Sequence, residues 1–106
     1  MKSKSRRYEV LLPTRFNDGR EVPGELLAEA VNEIVAQFNA VAFHKDAVEG
    51  HWRHHDTMYR DDLALLVIDV RDKPKNRKWM KAYKARWKKR LEQLEIWMVS
   101  YRIDIE

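Results

Sequence analysis

The chain contains no cysteine, which excludes a disulfide framework, a thiolate metal site and a thiol nucleophile. Glycine and proline are scarce at three each, too few for a glycine-rich phosphate loop or for long structureless stretches. Ser3, Ser5 and Ser100 stand in no nucleophile-elbow setting, so the hydrolase signatures are missing as well. No apolar run approaches the length of a bilayer span, and Met1 to Arg7 leads into no hydrophobic signal region. No membrane association is expected, and the cytoplasm is the expected location. No cofactor motif is present either.

What remains is enough to fold. Hydrophobic residues make up 44% of the chain and charged residues 36%, a balance that suits a globular domain rather than a polyelectrolyte. At 106 residues there is room for one core and not for two. The reading is a basic N-terminal tail over 1–7 followed by a single domain over 8–106. Four tryptophans, four tyrosines and three phenylalanines supply the apolar bulk that crosslinks would otherwise replace.

Tyr8 to Pro13 is a short apolar run stopped by proline and reads as a first strand. Asn17-Asp18-Gly19 marks a turn, and Pro23 opens a helix whose Leu26, Leu27, Ala30, Val31, Ile34, Val35 and Phe38 recur on one face until Asn39 ends it. Val41 to His44 and Val48 to Arg53 form an interrupted second strand, His54 to Asp61 a polar hairpin loop, and Leu63 to Val70 a central strand apolar on both faces. A second helix runs from Lys75 to about Gln93, with Trp79, Met80, Tyr83, Trp87, Leu91 and Leu94 on one arc. Ile96 to Ile105 alternates cleanly, and the row Trp97, Val99, Tyr101, Ile103 and Ile105 is expected to be its buried face.

Six elements in the order β-α-β-β-α-β fit an α+β fold, a four-stranded antiparallel sheet with two helices on one face. From Tyr8 to Ile105 the pattern resembles the ferredoxin-like plait. The resemblance is of pattern only, and plaits host binding modules, metal chaperones, regulatory domains and small enzymes alike.

Charge placement is the most informative feature. Lys73, Lys75, Arg77, Lys78, Lys81, Lys84, Arg86, Lys88, Lys89 and Arg90 lie in one stretch with no acidic residue, which leaves eleven basic residues to face all seventeen acidic ones elsewhere. The net charge of +4 therefore conceals a basic helix on an acidic body. Arg77, Lys78, Lys81, Lys84, Lys88 and Lys89 form a broad stripe opposite the apolar arc. Such a stripe can be a solvated helix face, or it can meet nucleic acid or an acidic protein, a second copy of this chain included. Trp79, Tyr83 and Trp87 fall at core spacing, which favours packing over base stacking.

His44, His51, His54 and His55 lie near Glu49, Asp56, Asp61 and Asp62, but their spacing on strand and loop matches no helix-borne ligand pair, and no metal site is expected. On the sheet face left uncovered by the helices, Glu9, Leu11, Leu65, Val67, Asp69, Met98, Ser100 and Arg102 are expected, with Leu11, Leu65, Val67 and Met98 as a dimer interface. Two functions follow. One is a non-enzymatic, homodimeric interaction module whose basic second helix contacts nucleic acid or an acidic partner. The alternative is a small dimeric plait enzyme with a ligand pocket against the sheet, where Glu9, Asp69, Arg102 or a hairpin histidine does acid–base work.

Overall fold

The computed structural model describes residues 4–106. Strand β1 (Ser5–Pro13) leads to helix α1 (Gly24–Phe38), strands β2 (Ala42–His54) and β3 (Thr57–Arg71), helix α2 (Pro74–Arg90) and strand β4 (Met98–Ile103). The strands lie in the order β2-β3-β1-β4, every neighbouring pair antiparallel. Pairing of β2 with β3 is interrupted between His44 and Val48, so the two ends of β2 meet β3 as separate segments. The architecture is α+β and plait-like, and both helices cover one sheet face.

Each helix begins and ends where local chemistry requires. Pro23 sits extended ahead of α1, and Asn39 closes it at φ 72, a left-handed conformation that asparagine tolerates, while its N–H donates to the Val35 carbonyl at 2.8 Å. Pro74 fills the first turn of α2, where a missing N–H costs nothing. The side chain of buried Asn76 donates to the Arg71 carbonyl at 2.9 Å and fixes the turn that enters the helix.

Between helices and sheet, Val10, Leu12, Leu66 and Ile68 meet Ala30 and Ile34 of α1 and Met80, Tyr83 and Trp87 of α2, all fully buried. Residues four apart lie on one helix face, and Trp79, Tyr83 and Trp87 form a ladder with centroid separations of 5.5 and 6.2 Å. Its polar atoms reach α1. Tyr83 donates to the Ala30 carbonyl at 2.9 Å, and the Trp87 indole N–H donates to Glu33. Burial pushes the Tyr83 phenol above its ordinary range, so it stays a neutral donor.

Several boundaries differ from the pattern reading. Strand β1 begins at Ser5, so Arg6 and Arg7 are strand residues rather than part of a tail, and residues 1–3 of that tail lie outside the described residues. The polar loop expected over His54–Asp61 is strand except for His55 and Asp56, whose φ values of 49 and 64 make the two-residue turn that matches strand twist. Helix α2 stops at Arg90, which leaves Leu94 outside it and exposed. Among the described residues no helix is long and apolar enough to cross a membrane.

The far end of the covered face is polar and is tied together by Asp72, whose side chain is 1% exposed. Its carboxylate accepts from Arg6 Nε at 2.9 Å, Arg77 Nη2 at 2.7 Å and Arg102 Nε at 3.1 Å. One acid thus joins β1, α2 and β4. Hydrogen bonds from Arg6 and Arg77 hold its pKa well below the usual carboxylate range.

Two stability outcomes follow. Trp87→Ala should destabilise the fold by about 3–5 kcal/mol, the cost of emptying a large buried site, and lower Tm in calorimetry by more than about 10 °C. Because the Asp72 pKa is depressed by folding, its contribution is fully present above the unfolded carboxylate value, about 3.9, and is lost as pH falls from there towards the folded value. Asp72→Asn should therefore lower Tm at pH 7, and the gap from wild type should shrink steadily below about pH 4. A gap independent of pH would contradict the ion cluster.

Candidate functional site

The register decides what the uncovered face carries. Leu11 pairs with Leu65 and Glu9 with Val67, while Glu9 also pairs with Val99 and Arg7 with Tyr101. Odd-numbered residues of β1, β3 and β4 therefore share the open face. Leu11, Leu65 and Val67 lie there half-buried, as the pattern reading expected. Met98 does not: it pairs with Val10 and packs against the core. Ser100 and Arg102 are also on the helix side, where Arg6 Nη1 donates to Ser100 Oγ at 3.0 Å. The phase of β4 is therefore the reverse of the expected one: its apolar residues Val99, Tyr101 and Ile103 face the open side and not the helices.

The corrected face is broad, apolar and aromatic. Its polar residues pair with each other. Arg7 makes a two-point contact with Asp69, Nε to Oδ1 at 2.8 Å and Nη2 to Oδ2 at 3.0 Å. A hydrogen bond to Glu9 raises the Tyr101 pKa.

Towards the hairpin the face opens into a cleft of about 400 Å³. Leu11, Pro13 and Leu63 form its floor, Trp97 and Leu94 stand on one side, and Trp52 and Gly50 on the other. Trp97 enters through the pairing of its carbonyl with the Leu11 N–H at 3.0 Å, and its side chain is 54% exposed. Trp52 is held firmly: it stacks on Tyr59 at 4.4 Å, and its indole N–H donates to Asp61 Oδ2 at 2.7 Å. Gly50 leaves the space between them clear, since a Cβ there would lie 3.0 Å from the Leu63 side chain. Asn17, Asp61 and Gln93 bring polar groups to this apolar floor, which His51 and Glu95 also border.

Of the four histidines only His51 borders the cleft, and its side chain turns to the opposite sheet face, because it pairs with Arg60 whereas Trp52 pairs with Tyr59 on the open side. Its Nε2 lies 2.9 Å from Glu49 Oε2, and Arg60 holds the other oxygen of that carboxylate at 2.5 Å. These contacts, His51 first, lower the Glu49 pKa. His44, His54 and His55 are exposed, and among the described residues no three His, Asp or Glu side chains form a metal-holding group.

The basic residues of α2 divide by direction. Arg90 pairs with Glu29 and Arg86 with Glu33, on α1, while Lys84 and Lys88 reach Glu95 at 3.1 and 4.0 Å. Arg77 belongs to the Asp72 cluster. Lys78, Lys81 and Lys89 make no ion pair among the described residues. The helix is therefore partly neutralised by its own protein. Trp52, Asp61, Leu63 and Trp97 form no group legible in the sequence, because a site built by two strands and the segment ahead of a third has no local spacing to read; the one available signal is the alternating apolar row that begins at Trp97.

No family model matches the chain, and no curated protein does. Among solved structures it is similar to CutA1 from Oryza sativa, at 15% identity and a TM-score of 0.67, covering 98% of this chain and 84% of that one. It is also similar to a phage SAM lyase in complex with S-methyl-5'-thioadenosine, at 10% identity and a TM-score of 0.71, covering 100% of this chain and 94% of that one. At such identities the likeness concerns the fold, and the fold is ferredoxin-like.

Proposed function

We propose that the chain is a self-associating plait that binds a flat heteroaromatic small molecule, of the nucleoside kind, in the cleft on its open sheet face. The observation that carries this reading is the cleft itself: an apolar floor of Leu11 and Leu63 between two indoles, Trp52 and Trp97, with the Asp61 carboxylate at its edge. Indole faces stack on planar rings, and carboxylates accept from hydroxyl and amino groups. The S-methyl-5'-thioadenosine held by the similar phage enzyme is a ligand of that chemistry.

The rest of the face supports self-association. Val67 lies near its centre, with Leu11, Leu65 and Val99 around it, and Tyr101 and Trp97 extend the apolar area across β4. A standard interface takes about 800 Å² from each copy, roughly a tenth of the 7384 Å² surface. A two-fold axis lets such a face cover itself.

Titration with S-methyl-5'-thioadenosine should quench tryptophan fluorescence saturably, and Trp97→Ala should weaken binding at least tenfold, a loss of about 1.4 kcal/mol. Unsaturable quenching, or binding indifferent to Trp97→Ala, would contradict the cleft. In sedimentation the wild type should exceed monomer mass at micromolar concentration, while Val67→Glu should give a folded monomer by placing a charge in the interface. A wild type that is monomeric at high micromolar concentration would refute self-association.

A further inference from the structure

The second candidate site lies on the opposite layer. Three guanidinium groups converge on the single carboxylate of Asp72, and two of them remain open to solvent, Arg77 at 48% and Arg102 at 63% side-chain exposure. One negative charge cannot balance three positive ones. Each guanidinium carries five donors, and the contacts to Asp72 and Ser100 use only some of them. The result is a cluster of locked, underused donors with about two uncompensated charges.

The cluster does not stand alone. Along α2 the positions Arg77, Lys81, Lys84 and Lys88 follow one another at four-, three- and four-residue spacing, so they share one side of the helix. Ion pairs place that side: Arg77 and Arg102 meet at Asp72, while Lys84 and Lys88 lean towards Glu95 ahead of β4. Strand β4 contributes Ser100 and Arg102 to the same flank, both exposed and on the helix side of the sheet. From Arg77 to Lys88 the row runs about 16 Å at 1.5 Å per residue.

We propose that this strip between α2 and β4 binds the phosphate backbone of a nucleic acid, with the Asp72-anchored arginines as its fixed end and Lys81, Lys84 and Lys88 as its extension. Guanidinium meets phosphate through paired, planar hydrogen bonds, which a positioned arginine makes at little ordering cost. A row of like charges suits a polymer that carries a phosphate at every nucleotide, and the five cations Arg77, Arg102, Lys81, Lys84 and Lys88 can neutralise about five phosphates. An acidic protein needs no such regular repeat. Glu95 holds Lys84 and Lys88 only through exposed pairs, which a phosphate can displace. The strip and the open-face cleft meet at Glu95, which borders the cleft and pairs with Lys84 and Lys88, but the cations that carry this inference are none of the residues lining the cleft.

Fluorescence anisotropy with labelled random-sequence oligonucleotides, single- and double-stranded, tests the strip on the intact chain. Binding should be nearly sequence-independent, and log Kobs should fall against log salt with a slope of about −4 for about five neutralised phosphates. The triple change Lys81→Glu, Lys84→Glu and Lys88→Glu should abolish it. The milder pair Lys81→Gln and Arg102→Gln should reduce the slope by about two while leaving circular dichroism unchanged. Trp97→Ala should not alter it. Binding that survives the triple change, saturable binding of inorganic polyphosphate but of no oligonucleotide, or salt-sensitive self-association with no oligonucleotide binding would each overturn the proposal.

Discussion

The pairing of Val10 with Met98 decides the orientation of every residue in β4. A strand alternates its side chains between two faces, so a slip of one residue would exchange the two sets completely. In the observed register Met98 seals the core, and Ser100 and Arg102 join Arg6 and Asp72 on the helix side. Val99, Tyr101 and Ile103 then face the open side beside Leu11, and Trp97 follows them to the wall of the cleft. Polar contacts reinforce the choice, because the inverse register would withdraw Arg102 from a buried carboxylate and leave that charge less well paired. Both candidate sites depend on this alignment.

Much of the fold could be read from residues close in sequence. Helical spacing, the proline at the start of each helix, Asn39 at the first helix end and the doubly apolar run of β3 all act over a few residues. The ends of the long hairpin were hidden because Thr57 to Asp61 is polar and pairs only with another exposed strand, leaving no hydrophobic alternation to detect. Two left-handed residues, His55 and Asp56, replace the glycine that would have announced the turn. The phase of β4 is a different difficulty: its apolar row faces away from the helices, so amphipathicity identified a strand without saying which side was the core.

The sites were less legible than the fold for the same reason. Leu11, Leu65 and Val67 could be grouped by strand alternation, yet the cleft beside them joins Trp52 of β2, Leu63 of β3 and Trp97 just ahead of β4. The basic stripe was plain in the sequence, but its division was not. Arg86 and Arg90 secure α1, while Arg77 shares an acid with Arg6 and Arg102, residues 71 and 25 positions away from it in the chain. The molecule thus separates an apolar, aromatic face from a cationic flank, with the Trp79–Tyr83–Trp87 ladder and the sheet between them.

The absence of cysteine makes the central claim directly measurable, since a single introduced thiol is the only one in the protein. Val99→Cys and Ser100→Cys place that thiol on opposite faces of neighbouring positions, one within the proposed self-association surface and one beside α2. The register and the proposed covering of the open face by a second copy together require that Cys substituted for Val99 react slowly with a thiol reagent at high protein concentration and speed up on dilution, whereas Cys substituted for Ser100 should react quickly at every concentration. Equal rates for the two, or protection of the Ser100 substitution instead, would contradict the account.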